Sequence, residues 1–571
     1  MTLRTDAEDE HMKKLPVGTQ AFRDIIEEER AYIDKTQYIY SLINDAKYYF
    51  LSRPRRFGKT LLLDTIAETF SGDKELFKGL FIHDTDYDFK KHPVIRLDMS
   101  NIANETPEAF KDSLTYEMIQ QAKRENISIE CRTPSDMFKT LIEAMYDKYN
   151  QRIVVLIDEY DKPILDRITD AKTAEGNRDI LHGFYGILKS MEPYLRLTFI
   201  TGVTKFTKTS IFSGLNNLKD ITMSEKYANI CGIPTEELET HFSERIEHLK
   251  SLNKLKDCGN IVDRILMWYD GYSWDGNTRV INPYSLIKFF DEEEFENFWF
   301  SSGTPTFLID LIKSKPESFL ALENLEISEG LLDKYDLRSI EIEPLLFQTG
   351  YLTVEQKRYS EGRPSYLLKI PNREVSESLY LSIIADFTEK GDTFAESAYK
   401  RIKKSLATGD LQGMLETLRA LFSSIPYELH PHSRQKEQQS AAAPRTARSP
   451  GDAPAQIRAQ AEAYYHSIFY AILSLLGFDI EAEPSTSRGR IDATLEYADK
   501  AYVMEFKYTQ TPLRATQKTK QKLYEKTLDA AMNQIKEKAY SNKYLGSGKT
   551  IHHVALAFLG RDDIAMRAEK A

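Results

Sequence analysis

The chain is poor in cysteine and tryptophan, with three of each among 571 residues. Cys131, Cys231 and Cys258 are odd in number and lack the paired spacing of a zinc site. That excludes a disulfide scaffold and a cysteine-based metal centre, and it fits core thiols in a reducing cytosol. Long apolar runs are also missing. The longest, Tyr464 to Phe478, carries His466 and falls short of the ~20 residues that cross a bilayer, so it reads as a buried helix and no membrane partner is expected. The opening segment, Met1 to Lys14, is polar and acidic rather than an apolar secretory signal, so a cytoplasmic location is expected. Positive charge is not in excess either: the formal net charge is −11, which argues against a chain coated along its length by nucleic acid. No internal repeat is visible.

What is present is an ordinary globular composition, 41% hydrophobic and 29% charged, long enough for three or four domains of ~150 residues. Residues 1–14 read as a flexible tail. Residues 15–230 alternate apolar strands with helical segments: Tyr48–Leu51, Val94–Leu97, Ile153–Ile157 and Leu197–Ile200 are the strands. This pattern predicts an α/β fold with a parallel sheet between helices. Residues 231–390 turn to short helices with aromatic joints, read as a helical lid and a small domain of winged-helix type. Residues 391–432 read as a helical connector. Ser433 to Ala459, rich in Gln, Ser, Ala and Pro and without an aromatic, reads as a disordered linker or insertion. Residues 460–571 form the last domain. From Gln456 onward there are 17 Lys and Arg against 14 Asp and Glu, a local basic excess in an acidic chain. The lysine run Lys518, Lys520, Lys522 and Lys526 lies there; its plainest reading is a solvated helix.

Two motifs carry chemistry. Arg53-Pro54-Arg55-Arg56-Phe57-Gly58-Lys59-Thr60 follows the first strand and opens a helix. Backbone N–H groups at such a junction converge on phosphates. Gly58 permits close approach, Arg56 and Phe57 belong to the same cradle, Lys59 reaches the β- and γ-phosphates, and the Thr60 hydroxyl ligates Mg²⁺. Arg53 stands where the usual first glycine would be. Asp158-Glu159 ends the third strand, so Asp158 is expected to hold Mg²⁺ and Glu159 to orient the attacking water. Thr201, after the fourth strand, is a candidate γ-phosphate sensor. Lys205 and Lys208 are candidates to neutralise charge, and Arg55 and Arg56 to contact phosphate or a neighbouring subunit, with capping or surface charge as the equally plain alternative.

The second motif is Asp492, then Glu505-Phe506-Lys507. Arg490–Leu495 and Ala501–Lys507 read as hairpin strands around an Asp499-Lys500 turn. Strand alternation puts Glu505 and Lys507 on one face and Phe506 in the core. Asp492 and Glu505 then offer two carboxylates to a metal, with Mg²⁺ or alternatively Mn²⁺ in view, and Lys507 positions the water. Glu462, on a preceding helix with His466 four residues on, is a third candidate metal ligand. Gln534 and Lys538 share a later helix face and either line the cleft or are solvated.

These residues resemble those of prokaryotic proteins that join an AAA-ATPase-like N-terminal domain to a C-terminal PD-(D/E)XK nuclease-superfamily domain. The matching segments include Leu15–Gly18, Tyr32-Ile33-Asp34-Lys35-Thr36, Arg53–Thr60, Leu156–Pro163, Ile211–Leu218 and Trp299–Pro305. They continue through Tyr464–Ser467, Thr486–Asp492 and Glu505–Lys507. The resemblance implies an ASCE-type ATPase fold, Arg53 as an ordinary member of the loop, and Asp492, Glu505 and Lys507 as the nuclease signature. ATP, Mg²⁺ and nucleic acid, DNA in preference to RNA, are the implied ligands. AAA-like sites often use a neighbour's arginine, so a homo-oligomer is in view. A role in defence or mobile-element biology enters by association alone.

Two functions follow. In one, ATP binding or hydrolysis regulates or drives a C-terminal Mg²⁺-dependent nuclease. In the other, the chain is an ATP-dependent signalling switch whose nuclease-like domain binds nucleic acid or a partner without cutting.

Overall fold

The computed structural model describes residues 12–205, 217–252, 259–299, 325–332, 341–360, 362–424, 479–483, 490–497, 499–509, 516–538, 540–559 and 564–571, with single residues 211, 212, 214, 215, 255, 469, 472 and 474. The chain divides into two compact units. One comprises Met1–Ser302 with Asn324–Val375, the other Gly303–Glu323 with Ser376–Ala571.

The first unit is built on a five-stranded sheet of β1 (Tyr48–Ser52), β2 (Val94–Asp98), β3 (Ile153–Asp158), β4 (Leu195–Gly202) and β5 (Lys219–Asp220). The order is β2-β3-β4-β1-β5 and every pair is parallel. Every residue of β1 and β3 is buried, as expected of apolar runs covered by helices on both faces. The flanking helices are bounded by ordinary capping chemistry. Thr106 and Thr133 accept backbone N–H groups at the starts of Pro107–Arg124 and Pro134–Tyr149, each with proline in its first turn. Parallel strands require crossovers, so the loops following β1, β3 and β4 emerge at one sheet edge, where the phosphate-binding motif lies.

Helices Thr235–His241, Ser243–Ser251, Ile261–Tyr269 and Pro283–Glu292 follow, around an apolar core that includes Leu238, Phe242, Ile265 and Phe289. Phe242 stacks on Phe290 at 4.9 Å. A three-stranded antiparallel sheet comes next: β6 (Leu325–Ser328), β7 (Thr353–Ser360) and β8 (Arg363–Lys369), in the order β6-β8-β7, with helix Ile342–Thr349 before β7. These strands were hard to read in the sequence because β7, Thr353-Val-Glu-Gln-Lys-Arg-Tyr-Ser, is mostly polar and carries a register shift between Val354 and Gln356.

The second unit is a mixed sheet of β9 (Asp479–Glu483), β10 (Arg490–Tyr497), β11 (Lys500–Thr509), β12 (Thr550–Leu559) and β13 (Ile564–Lys570), ordered β13-β12-β11-β10-β9. Only β11 and β12 run parallel, and helix Gln517–Lys538 is their crossover. Its Leu528, Ala531, Met532 and Ile535 join Ala501 and Val503 in one core. The opposite sheet face meets helices Asp392–Thr408 and Leu411–Ser423. There the Tyr502 hydroxyl donates to Leu406 O at 2.6 Å, Arg419 donates to Ile564 O at 2.7 Å, and Phe422 meets Phe558 at 5.0 Å. The helices read as a connector are therefore a structural layer of this unit. The expected linker, 433–459, lies outside the described residues. Among the described residues no helix is long and apolar enough to cross a membrane.

Candidate nucleotide and metal sites

Gly58 has φ +84° and open space around it, so the left-handed conformation rather than crowding calls for glycine. Lys59 begins the next helix. Its ammonium is buried and donates to Arg53 O and Pro54 O, both at 2.9 Å. Burial lowers its pKa, while Asp158 and Glu159 act the other way. Asp158, at the tip of β3, is the centre of a polar knot. It accepts from Thr60 Oγ1 at 2.7 Å, Thr201 Oγ1 at 2.6 Å and Glu159 N at 3.0 Å. β4 lies between β1 and β3, which is how Thr201 reaches the same carboxylate. The hydroxyl of Thr201, the candidate phosphate sensor, is thus engaged with Asp158. Glu159 adopts φ +49°, uncommon for a residue with a side chain, and burial raises its carboxyl above the usual range. A hydroxyl and a carboxylate already in contact are hard oxygen donors of the kind Mg²⁺ takes.

Arg53 explains why this loop lacks its first glycine. The side chain is fully buried and its guanidinium donates to Ser52 O and Thr222 O at 2.9 Å. It lies 3.8 Å from the Trp274 ring centroid. Burial lowers its pKa to about 10. The ring of Phe57, whose place in the motif put it in the phosphate cradle, is buried edge-on to Tyr272 at 4.8 Å and Trp274 at 5.4 Å. Arg56 differs likewise from its reading as a phosphate ligand. Its guanidinium donates to Phe298 O and to Trp299 O (3.0 Å) and lies over Tyr284. Arg55 is exposed, and its carbonyl accepts from the Trp299 indole at 3.3 Å. Lys205 pairs with Asp220 at 2.7 Å, and Lys208 lies outside the described residues.

Two features carried no role in the sequence reading. Asp161 is buried and accepts from Val203 N at 3.1 Å and from Thr204 N and Oγ1 at 2.6 Å. It ties the end of β4 to the turn after β3. A Cβ on Gly202 would come within 2.5 Å of Asp161 Oδ1 and the Tyr160 ring, so glycine is required there for space. The other feature is an apolar cavity beside Gly58, lined by residues that include Ile33, Leu61, Thr65, Cys231, Ile233 and Ile287. Lys35, also on its wall, pairs with Glu237 at 2.6 Å. Asp161 stood in the Asp158–Pro163 run and was legible; the cavity is assembled from four separate segments and was not.

In the second unit, the β10–β11 register sets Asp492 directly opposite Glu505 and Ile491 opposite Phe506. Glu505 is 1% exposed. Lys507 Nζ lies 3.4 Å from Glu505 Oε1 and donates to Gln534 Oε1 at 2.6 Å. Phe506 points to the other face, against Phe469 at 4.9 Å and Phe558 at 4.4 Å. Gln534 thus reaches the Glu505–Lys507 pair. Glu462 and His466 lie outside the described residues, as does the side chain of Lys538. Among the described residues no group of three or more His, Cys, Asp or Glu side chains clusters as a metal site. A buried carboxylate with a second carboxylate-bearing residue across the ladder is nonetheless the donor chemistry a hard cation takes.

Residues 16–212 match the family model described as predicted AAA-ATPase, and residues 460–567 match the PD-(D/E)XK nuclease superfamily. An uncharacterized protein in the vnfD 5'region of Azotobacter chroococcum mcd 1 is 34% identical over 549 residues, 96% of each chain. Among solved structures, Aeropyrum pernix ORC1 in complex with DNA aligns over 63% of this chain and 97% of its own, at 10% identity and a TM-score of 0.25. The ORC2 protein of Aeropyrum pernix in its ADPNP–ADP complexes aligns over 64% and 94%, at 11% identity and a TM-score of 0.23. Similarity that low carries no argument, whereas the full-length relative and the two family models do: the chain belongs to the family of predicted AAA-ATPases that carry a C-terminal PD-(D/E)XK nuclease-superfamily domain.

Proposed function

We propose that this chain binds and hydrolyses ATP in its first unit, and that this regulates or drives a Mg²⁺-dependent nuclease in its second, with DNA as the preferred substrate. The observation that carries the nuclease half is the placement of Glu505 and Lys507 on one face of β11, with Asp492 opposite in register. A charged pair this buried is costly to maintain without a function to serve. A divalent cation bound at either site supplies neutralisation of phosphoryl oxygens and a bound water of lowered pKa.

The chain's own residues do the rest. Thr60 and Asp158 supply oxygen ligands at the nucleotide site, Thr201 keeps Asp158 oriented, and Lys59 swings from its loop carbonyls to the phosphates. Glu159 receives the proton of the attacking water, a role suited by a carboxyl whose pKa is raised. The apolar cavity beside Gly58 takes the planar base. At the nuclease site, Asp492 and Glu505 hold the cation, joined by Glu462, and Lys507 positions the nucleophilic water while Gln534 fixes its ammonium.

The test is a nuclease assay on the full chain with single- and double-stranded DNA and RNA, in Mg²⁺ or Mn²⁺, with and without ATP. Cleavage by the wild type that disappears in Lys507→Ala, while ATP turnover persists, is the expected result. ATP turnover with no cleavage under any of these conditions would replace this reading with the switch, in which the second unit binds without cutting.

A further inference from the structure

Helix Gln517–Lys538 is 22 residues long, yet only part of it covers the sheet. Its buried residues begin at Thr527 and continue through Leu528, Ala531, Met532 and Ile535. None of the ten residues Gln517–Lys526 is buried. Those ten carry four lysines and one glutamate in a chain that is otherwise acidic. Tyr524 packs partly buried against the core, but the lysines of this segment contribute nothing to it, so their projection as a basic stretch calls for a ligand.

The arrangement of the lysines names it. Lys518, Lys522, Lys526, Ala530 and Gln534 are spaced by four throughout, so they form one continuous ridge on the helix surface. Lys518, Lys522 and Lys526 are exposed, and none of the ion pairs or hydrogen bonds among the described residues engages them. Glu525, their near neighbour, accepts from Gln521 at 3.4 Å. Ala530 interposes no bulk. The ridge ends at Gln534, which holds Lys507 at 2.6 Å. At 1.5 Å per residue the row is about 24 Å long, the length of about seven phosphates of one strand.

We propose that Lys518, Lys522 and Lys526 form a phosphate rail that binds the backbone of a nucleic acid strand and leads it along one helix ridge to the Glu505–Lys507 site. The inference rests on the nuclease reading of that site for its purpose, but not for its test. Three point charges without base-reading groups bind backbone irrespective of sequence. The rail therefore sets affinity and path, not specificity.

The experiment measures binding of fluorescently labelled DNA and RNA oligonucleotides, single- and double-stranded, to the full chain across a salt series without divalent metal. The wild type is compared with Lys518→Gln/Lys522→Gln/Lys526→Gln, whose exposed positions leave the fold intact. A charge-matched control, Lys111→Gln/Lys123→Gln/Lys139→Gln, alters exposed lysines of the first unit. The rail variant is expected to lower the slope of log affinity against log salt by about 2 to 3, with at least about tenfold weaker binding at low salt. The control should retain the wild-type slope. A rail variant with wild-type affinity and slope overturns the proposal, as does an equal loss in the control or a wild type that binds none of the four probes. Cleavage distinguishes the two ideas: a wild type that binds through the rail but never cuts refutes the nuclease reading alone. A wild type that cuts, with binding indifferent to the rail lysines, refutes the rail alone.

Discussion

The two units place the polar residues of their candidate sites by different means. In the first, the nucleotide-site residues stand at strand tips: Thr60 after β1, Asp158 at the end of β3, Thr201 near the end of β4. Loops and helix starts position them, and neighbouring backbone anchors the groups around them, as Lys59 on Arg53 O and Pro54 O and Asp161 on Val203 N and Thr204 N show. In the second, the residues stand within strands, and ladder register and side-chain alternation do the placing. A tip site tolerates an odd residue if something else fixes the loop, as the buried Arg53 does. A register site tolerates none, because a slip of one residue sends Glu505 and Lys507 to the face now held by Phe506.

The largest expected effect sharpens this contrast. Glu505→Gln keeps the shape of the strand and removes one carboxylate. Cleavage should fall by on the order of 10³ while ATP turnover stays at the wild-type level. Proportional loss of both activities would mean that the units do not hold independent sites.

Next in size is Arg53→Gly, which restores the glycine that phosphate loops usually carry. Here it removes three hydrogen bonds to carbonyls, those of Ser52, Thr222 and Tyr227, and the contact with Trp274. We expect the first unit to lose about 3 kcal/mol of stability, seen by chemical denaturation as an earlier first transition. A gain in stability would show that the loop does not depend on this buried side chain.

The smallest effect is one of pH. Glu374 is buried, accepts from Trp299 N at 2.8 Å, and has its carboxyl raised by burial from 4.5 to about 7. A carboxyl raised on folding contributes stability that is present below about 4.5 and lost as pH rises through about 7. The first unit should therefore be less stable at pH 8 than at pH 5, by on the order of 2 kcal/mol. Glu374→Gln should remove most of that difference in thermal midpoint. An unchanged pH profile in the variant would assign the dependence to another group.

Much of this was legible in the residues. Ile153–Ile157 read as a doubly buried strand because it is uninterruptedly apolar, and it is one. Arg490–Leu495 and Ala501–Lys507 read as a hairpin because their apolar residues flank a polar turn, and their register pairs Asp492 with Glu505. Arg56 and Phe57 were read from their place in the motif alone, whereas their side chains turn to Phe298, Trp299, Tyr272 and Trp274, more than 200 positions away. Nothing local in Arg53–Thr60 signals those partners. The connector helices were likewise seen as helices, but the sheet face they cover is formed by strands that come much later in the chain.

The sequence by itself determined the chemistry on offer: a Gly-Lys-Thr loop, an Asp-Glu strand end, and an Asp with Glu-x-Lys in alternating strands. Spacing along a strand or helix is fixed by backbone periodicity, so these features need no distant partner to be read. Tertiary structure decided which side chains those motifs keep for ligands and which they surrender to packing. It set Thr201 on Asp158, Gln534 on Lys507 and Arg53 against Trp274, because contacts between remote segments depend on how the segments fold together rather than on any local period.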